Sequence, residues 1–264
     1  MDRQAILTAF DEQIRRHPQP DVPAGFVEHD ATVVRSMAPR EGWSGVTWSQ
    51  LDQGNADEVI AEQIRRFAEL SRPWEWKHYS YDQPANLPDR LLAAGFTPQP
   101  VETVLVAEIA DLDLDVPAPS GVQLSPVVDK KSVETLVRVH DEVFGGDHSG
   151  LGSSLLAGLQ RRPTTAAAVV AWAEGRPISA GRVEFHPGTE FASLWGGGTV
   201  TGWRGRGVFR ALAAQRAAVA RSQGFRYLQV DASPDSRPIL QRLGFVELAT
   251  TTPFTHPGDR PSEA

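Results

Sequence analysis

Residues 200–212 read VTGWRGRGVFRAL. Gly205 and Gly207 stand two apart among Arg204, Arg206 and Arg210, and an alanine-rich amphipathic run follows. A helix that starts here exposes unpaired backbone N–H groups and the positive end of its dipole, which together make an anion site. Glycine has no side chain to hold a phosphate away from those amides, and arginine adds charge-assisted donors of phosphate geometry. Behind the turn, Val208, Leu212 and Val219 fall on one face, which predicts a helix over 205–222.

Other glycine motifs fit less well. A nucleotide-hydrolase phosphate loop ends in Gly-Lys-Ser/Thr, which the chain lacks. A dinucleotide fingerprint needs a third glycine where Arg210 stands, although Asp231 lies at the distance of its ribose ligand. A tight turn with solvated arginines is the plain alternative.

The bulk composition bounds the rest. The 264 residues are 41% hydrophobic and 22% charged, enough for a buried core in one large domain or two ordinary ones. A net charge of −7 argues against non-specific binding to nucleic acid or an anionic membrane and is compatible with a cationic substrate. Without cysteine there are no disulfides, thiolate metal sites or cysteine nucleophiles, and no metal is expected. The N-terminal MDRQAILTAFDEQIRRHP lacks the apolar run of a secretion signal, and no stretch approaches the ~20 apolar residues of a membrane helix. The expectation is a cytoplasmic protein.

A proline-rich run, DLDLDVPAPSGV (111–122), divides the chain into expected domains at 1–115 and 120–255, with a disordered tail at 256–264. The halves echo each other. At an offset of 149, the separation of Phe96 and Phe245, ADEVIAEQIRRFAEL (56–70) falls on GRGVFRALAAQRAAV (205–219). LPDRLLAAGF (87–96) falls on the short helix ending in Gly-Phe, and WEWKHYS (74–80) corresponds to RYLQV (226–230). Opposite Arg204, Gly205, Arg206 and Gly207 the first half has Asn55, Ala56, Asp57 and Glu58, which would repel an anion. In the second half, helices are predicted over 130–144 and 151–162, and strands over 166–175, 176–188 and 191–200. The last of these is interrupted by Gly196, Gly197 and Gly198.

RGRGVF (204–209) resembles the acyl-coenzyme A pyrophosphate loop of the GNAT superfamily of N-acetyltransferases, Gln/Arg-x-x-Gly-x-Gly/Ala. Arg204 and Gly207 match, and Phe209 replaces the small final residue. The resemblance runs from about 122 to 254, including LGFVE (243–247), and through the echo reaches the first half. It implies an α/β fold of α+β type, with two GNAT-like domains. Each would be a mixed, mostly antiparallel twisted sheet flanked by helices, the first a degenerate copy without the phosphate loop. It implies acetyl-CoA as cofactor, with the pantetheine arm along Gly198, Thr199 and Val200 where the strand splays at a glycine bulge. The pyrophosphate would sit on the amides of Gly205, Arg206, Gly207, Val208, Phe209 and Arg210. Ser233 stands where family members commonly have a pantetheine-contacting asparagine. The implied reaction is direct attack by a primary amine of a small molecule or peptide, with no nucleic-acid or membrane partner and a monomer or homodimer both open.

The catalytic groups depart from the pattern. Where many members carry an acid, eleven residues before the motif arginine, this chain has Ser193, and the usual tyrosine is Leu240. Glu184, mid-strand between Val183 and Phe185, is the preferred base, and Asp231 is a second candidate. His186 and Glu190 are expected at a turn surface, Tyr227 inside a strand, and Asp147 and His148 in a loop able to hold a cationic amine. A non-catalytic acyl-CoA-binding protein that has lost acid and base is the alternative.

Overall fold

Strand β4 (Trp74–Tyr79) buries Trp74 and Trp76 in alternation with the half-buried Glu75 and Lys77, as expected of a pleated strand with one face on a core. The computed structural model to which it belongs describes residues 2–20, 22, 24–38 and 42–258; the expected tail lies outside them from residue 259 on. The described chain forms two units. One comprises Asp2–Val104, Asp231–Pro234 and the chain from Glu247 on; the other comprises Leu105–Val230 and Asp235–Val246.

In the N-terminal unit, helix α1 (Arg3–Phe10) continues as a π-helical turn (Asp11–Arg15). Strands β1 (Phe26–His29), β2 (Val33–Met37) and β3 (Gly45–Ser49) are antiparallel neighbours, and β3 then pairs in parallel with β4. Helix α2 (Ala56–Ala68) joins β3 to β4, and α3 (Leu87–Ala93) and β5 (Thr97–Pro98) follow. Val59, Ile60 and Phe67 of α2 pack with Trp74, Trp76, Leu91 and Phe96 in one core, where Phe67 stacks on Trp74 at 4.1 Å.

Strand β6 (Glu102–Glu108) leads to the C-terminal unit: β7 (Val122–Pro126), α4 (Lys130–Phe144), α5 (Ser149–Gln160), β8 (Ala166–Ala173), β9 (Arg176–Phe185), β10 (Phe191–Thr199), α6 (Val208–Ser222), β11 (Tyr227–Ala232) and α7 (Arg237–Arg242). β7 through β10 are antiparallel neighbours, and β10 pairs in parallel with β11. One core joins Val133, Leu136 and Val139 of α4 to Leu155 of α5 and Val170 of β8; another joins Val208 and Leu212 of α6 to Val169, Ala171 and Ile178. The sheet is thus covered on both faces. Each unit has antiparallel strands, a helix, a parallel strand and a short helix in that order, the order of the sequence echo. The last strand, β12 (Val246–His256), runs antiparallel to β4, so residues 247–256 belong to the N-terminal unit.

Two details of α6 and α4 differ from a reading by apolar stripe. Val219 is only half-buried, whereas Arg216 is 1% exposed among the alanines of α6. Helix α4 is fixed at its start by a reciprocal cap between Asp129 and Ser132, and its buried face includes His140.

A candidate acyl-coenzyme A site

After β10 the chain makes a short 3-10 turn (Thr201–Trp203) and then enters α6. Gly205 has φ +72° and Gly207, the helix N-cap, has φ +83°, a region that costs a side-chain-bearing residue strain. No side chain caps α6, and the amides of residues 205–210 have no acceptor among the described residues; the first helical bond is from Ala211 to Gly207. A Cβ at Gly205 would meet nothing within 4 Å. Arg206 lies over the Trp203 ring at 4.7 Å, and Arg210 is 3.4 Å from Asp113, so both guanidiniums stay at the mouth of the turn. Arg204 turns back, its Nε donating to the Thr199 carbonyl at 2.9 Å. The donor set therefore fits a diphosphate: six unpaired amides at a helix start, with two exposed guanidiniums beside them.

The strand leading to this turn parts from its neighbour. Parallel pairing of β10 with β11 covers Phe191–Tyr227, Ala192–Leu228 and Ser193–Gln229 and does not continue along Leu194–Thr199. On the other edge, the register with β9 shifts between Trp195 and Gly198, a bulge at the three glycines. The space at those glycines is taken by the protein itself. A Cβ on Gly196 would collide with the His140 ring, one on Gly197 would come 2.9 Å from Phe209, and one on Gly198 2.7 Å from Val143 and 2.9 Å from Phe144. Of the groups expected along the arm, the Gly198 carbonyl accepts from Ser179 Oγ at 2.6 Å and the Val200 amide donates to Ile178 at 2.9 Å.

Under the bulge, on the α6 side, the Arg216 guanidinium donates to the carbonyls of Leu212 (3.1 Å), Arg182 (3.1 Å) and Trp195 (3.4 Å). Burial and then the like charge of Arg182 push its pKa down to about 10. On the α4 side His140 is 2% exposed with no hydrogen-bond partner at Nε2 among the described residues, and burial, followed by Arg182, pushes its pKa down to about 4. Its imidazole is neutral at physiological pH.

The expected acid–base residues are distributed as follows. Glu184 lies on β9 with Arg182 Nε 2.6 Å away and a third of its side chain exposed. Asp231 belongs to the N-terminal unit, where its buried carboxylate is paired with Lys77; Ser233 lies in the same segment. Burial opposes the Lys77 charge, but Asp231 holds its pKa above the ordinary lysine value. Ser193 Oγ donates to Gln229 Oε1 at 2.7 Å and accepts from His186 Nε2 at 2.7 Å, a relay from the residue after β9 through β10 to β11. His186 is thus not free turn surface, and burial lowers its pKa. Leu240 and Tyr227 are buried. Asp147 accepts from the Ser149 amide at 2.8 Å. The sequence reading missed a contact beside it: His148 Nδ1 lies 2.9 Å from Asp141 Oδ1, and its ring packs edge-on to those of His140 and Phe144. Among the described residues there is no cluster able to hold a metal, and no helix long and apolar enough to cross a membrane.

Solved structures with the same arrangement give the class of fold. A GCN5-related N-acetyltransferase from Kribbella flavida superimposes with a TM-score of 0.71 at 18% identity, over 99% of this chain and 98% of its own. One from Sphaerobacter thermophilus does so at 0.62 and 14% identity, over 89% and 80%. The chain has the fold of the GCN5-related N-acetyltransferases. Its arrangement is the tandem one: a tandem GNAT protein from the clavulanic acid biosynthesis pathway matches 99% of this chain and 95% of its own, with a TM-score of 0.62 at 14% identity. Neither a family profile nor a curated protein sequence matches the chain.

Proposed function

We propose that the C-terminal unit is an N-acyltransferase that moves an acyl group, acetyl foremost, from acyl-CoA to a primary amine of a small molecule or peptide. The observation that carries this reading is the run of six unpaired amides at the start of α6, behind glycines at positive φ. These amides, with Arg206 and Arg210, hold the diphosphate. The parted edge of β10, through Gly198, Thr199 and Val200, runs beside the arm, and a bulge amide at Gly197 or Gly198 polarises the acyl carbonyl. The bound coenzyme supplies an activated thioester. The thiol, with an ordinary pKa of about 8.5, is a tolerable leaving group without a tyrosine acid.

A second reading is a regulatory acyl-CoA-binding protein. It draws support from Ser193, held in the His186–Gln229 relay, and from Leu240, 1% exposed where a proton donor would stand. Calorimetry with acetyl-CoA, followed by thiol release on a panel of amines, separates the two. Uptake with release supports the enzyme; uptake without release on any amine supports the binder; no uptake sinks both.

The N-terminal unit reads as a copy without a coenzyme site. Asp52 Oδ1 accepts the amides of Gly54 (2.7 Å) and Asn55 (3.0 Å) ahead of α2, and Asp57 and Glu58 occupy its first turn. A carboxylate of the chain itself thus sits where an anion would be held.

A further inference from the structure

We propose that His148, oriented by Asp141, is the proton acceptor that frees the attacking amine; the assignment rests on the acyltransferase reading of the C-terminal unit. Three observations point there. His148 Nδ1 is 2.9 Å from Asp141 Oδ1, and the same oxygen accepts the His148 backbone amide at 3.0 Å, so one carboxylate fixes both the ring and the residue that begins α5. With its proton on Nδ1, the ring presents Nε2 as a lone-pair base, the logic by which a carboxylate sets a histidine tautomer. The ring centroid lies 5.8 Å from that of His140 and 6.2 Å from that of Phe144, and those two rings fill the space over Gly196 and Gly198 of the bulge.

The other candidates are worse placed. His140 is buried and its pKa is pushed down to about 4, too weak a base to hold an ammonium proton. Glu184 is engaged in an ion pair with Arg182 at 2.6 Å, and His186 donates into the Ser193 relay. His148 is 30% exposed, Phe144 beside it is 53% exposed, and Asp147 precedes it in the chain. The His148 ring thus borders solvent between an apolar ring and an anionic side chain, a setting that favours a cationic amine carrying an apolar body. The step balances: His148 Nε2 takes one proton from the ammonium, the freed amine nitrogen bonds to the thioester carbonyl carbon, and the C–S electron pair leaves on sulfur, which takes the second nitrogen proton as the thiol. The imidazolium then releases the ammonium proton to solvent, so one net proton is lost per turnover.

The test measures thiol release with an alkylamine and with hydroxylamine, which is unprotonated at neutral pH, as a function of pH in the wild type, H148Q and D141N. The groups facing His148 are Asp141, Asp147 and His140, so the acid limb of the wild-type profile reports the set. We expect H148Q to bind acetyl-CoA normally, to lose about 10²-fold or more in kcat/KM with the alkylamine, and to lose far less with hydroxylamine. Its acid limb should flatten. The carboxamide in D141N retains an oxygen for the His148 amide, so this variant should fold and bind coenzyme while its acid limb moves. Turnover by H148Q at the wild-type level, or equal losses on both nucleophiles, overturns the assignment while leaving the acyltransferase standing. A wild type that takes up coenzyme but releases no thiol removes both.

Discussion

Arg15 and Asp82 form a buried ion pair, Nη2 to Oδ1 2.8 Å, inside the wedge where β3 and β4 of the N-terminal unit separate. Pairing of these strands covers only Gly45–Glu75 and Val46–Trp76. Beyond it, Arg15 Nε donates to the Thr47 carbonyl on β3 at 3.1 Å, and its guanidinium lies 4.0 Å from the Tyr79 ring centroid on β4. This is the wedge that, in the C-terminal unit, would take the arm of a coenzyme. Here the chain has filled it. We expect calorimetry to return one acetyl-CoA per chain, and Arg15→Ala to lower stability by about 3–5 kcal/mol because Asp82 stays buried without its partner. Urea unfolding followed by tryptophan fluorescence reads the loss; two coenzymes per wild-type chain would contradict the assignment.

Gly207 caps α6 with φ +83°. Gly207→Glu should cut acetyl-CoA affinity at least tenfold, since it sets a carboxylate at the mouth of the anion site, while the left-handed cap costs about 1–2 kcal/mol of stability. Titration calorimetry and a melting curve measure the two effects separately. Undiminished affinity would place the diphosphate elsewhere.

Arg216 and Gly181 are a matched pair, since a Cβ on Gly181 would come 2.7 Å from Arg216 Nη1. Gly181→Ala should destabilise by about 1–3 kcal/mol. Arg216→Met should cost about 1–3 kcal/mol, as the carbonyls of Arg182 and Trp195 lose a buried donor, and should remove most of the cost of the alanine in the double variant. Additive losses in the four-member cycle would show that the two do not share the space.

The N-terminal unit should lose stability as pH rises. Burial, followed by the Asp231 charge, raises the Glu102 pKa from 4.5 to about 7. The folded state therefore holds a proton that the unfolded chain has released between those values, and its contribution is present below pH 4.5 and lost as pH rises through 7. Glu102→Gln should flatten this slope and be more stable than wild type at pH 8. Urea midpoints from pH 5 to 8 check it, and identical slopes would sink it.

The turn at 204–210 was legible because its meaning is local: glycine at positive φ and a helix start need only neighbouring residues. The repeated order of strand and helix was legible through Trp74, Trp76, Phe96 and Phe245, whose burial is local too. What the sequence concealed depends on distant partners. Nothing near Arg216 in an alanine-rich helix suggests burial, and the cavity that accepts it is made by Gly181 and Gly197 on two strands. Asp141 and His148 lie seven residues apart across a helix end, and meet only because the loop closes back on α4. Glu184 read as the preferred base because its mid-strand position does not reveal that the Arg182 side chain reaches it.

The placement of β12 bears on how such a chain is made. The sheet of the N-terminal unit borders on a strand that is synthesised only after the entire C-terminal unit. Translation must pass residue 256 before the N-terminal unit can complete the pairing of β4. A nonsense codon just past residue 246 would therefore strike hardest at the half already translated, exposing the flank of β4 to aggregation or proteases.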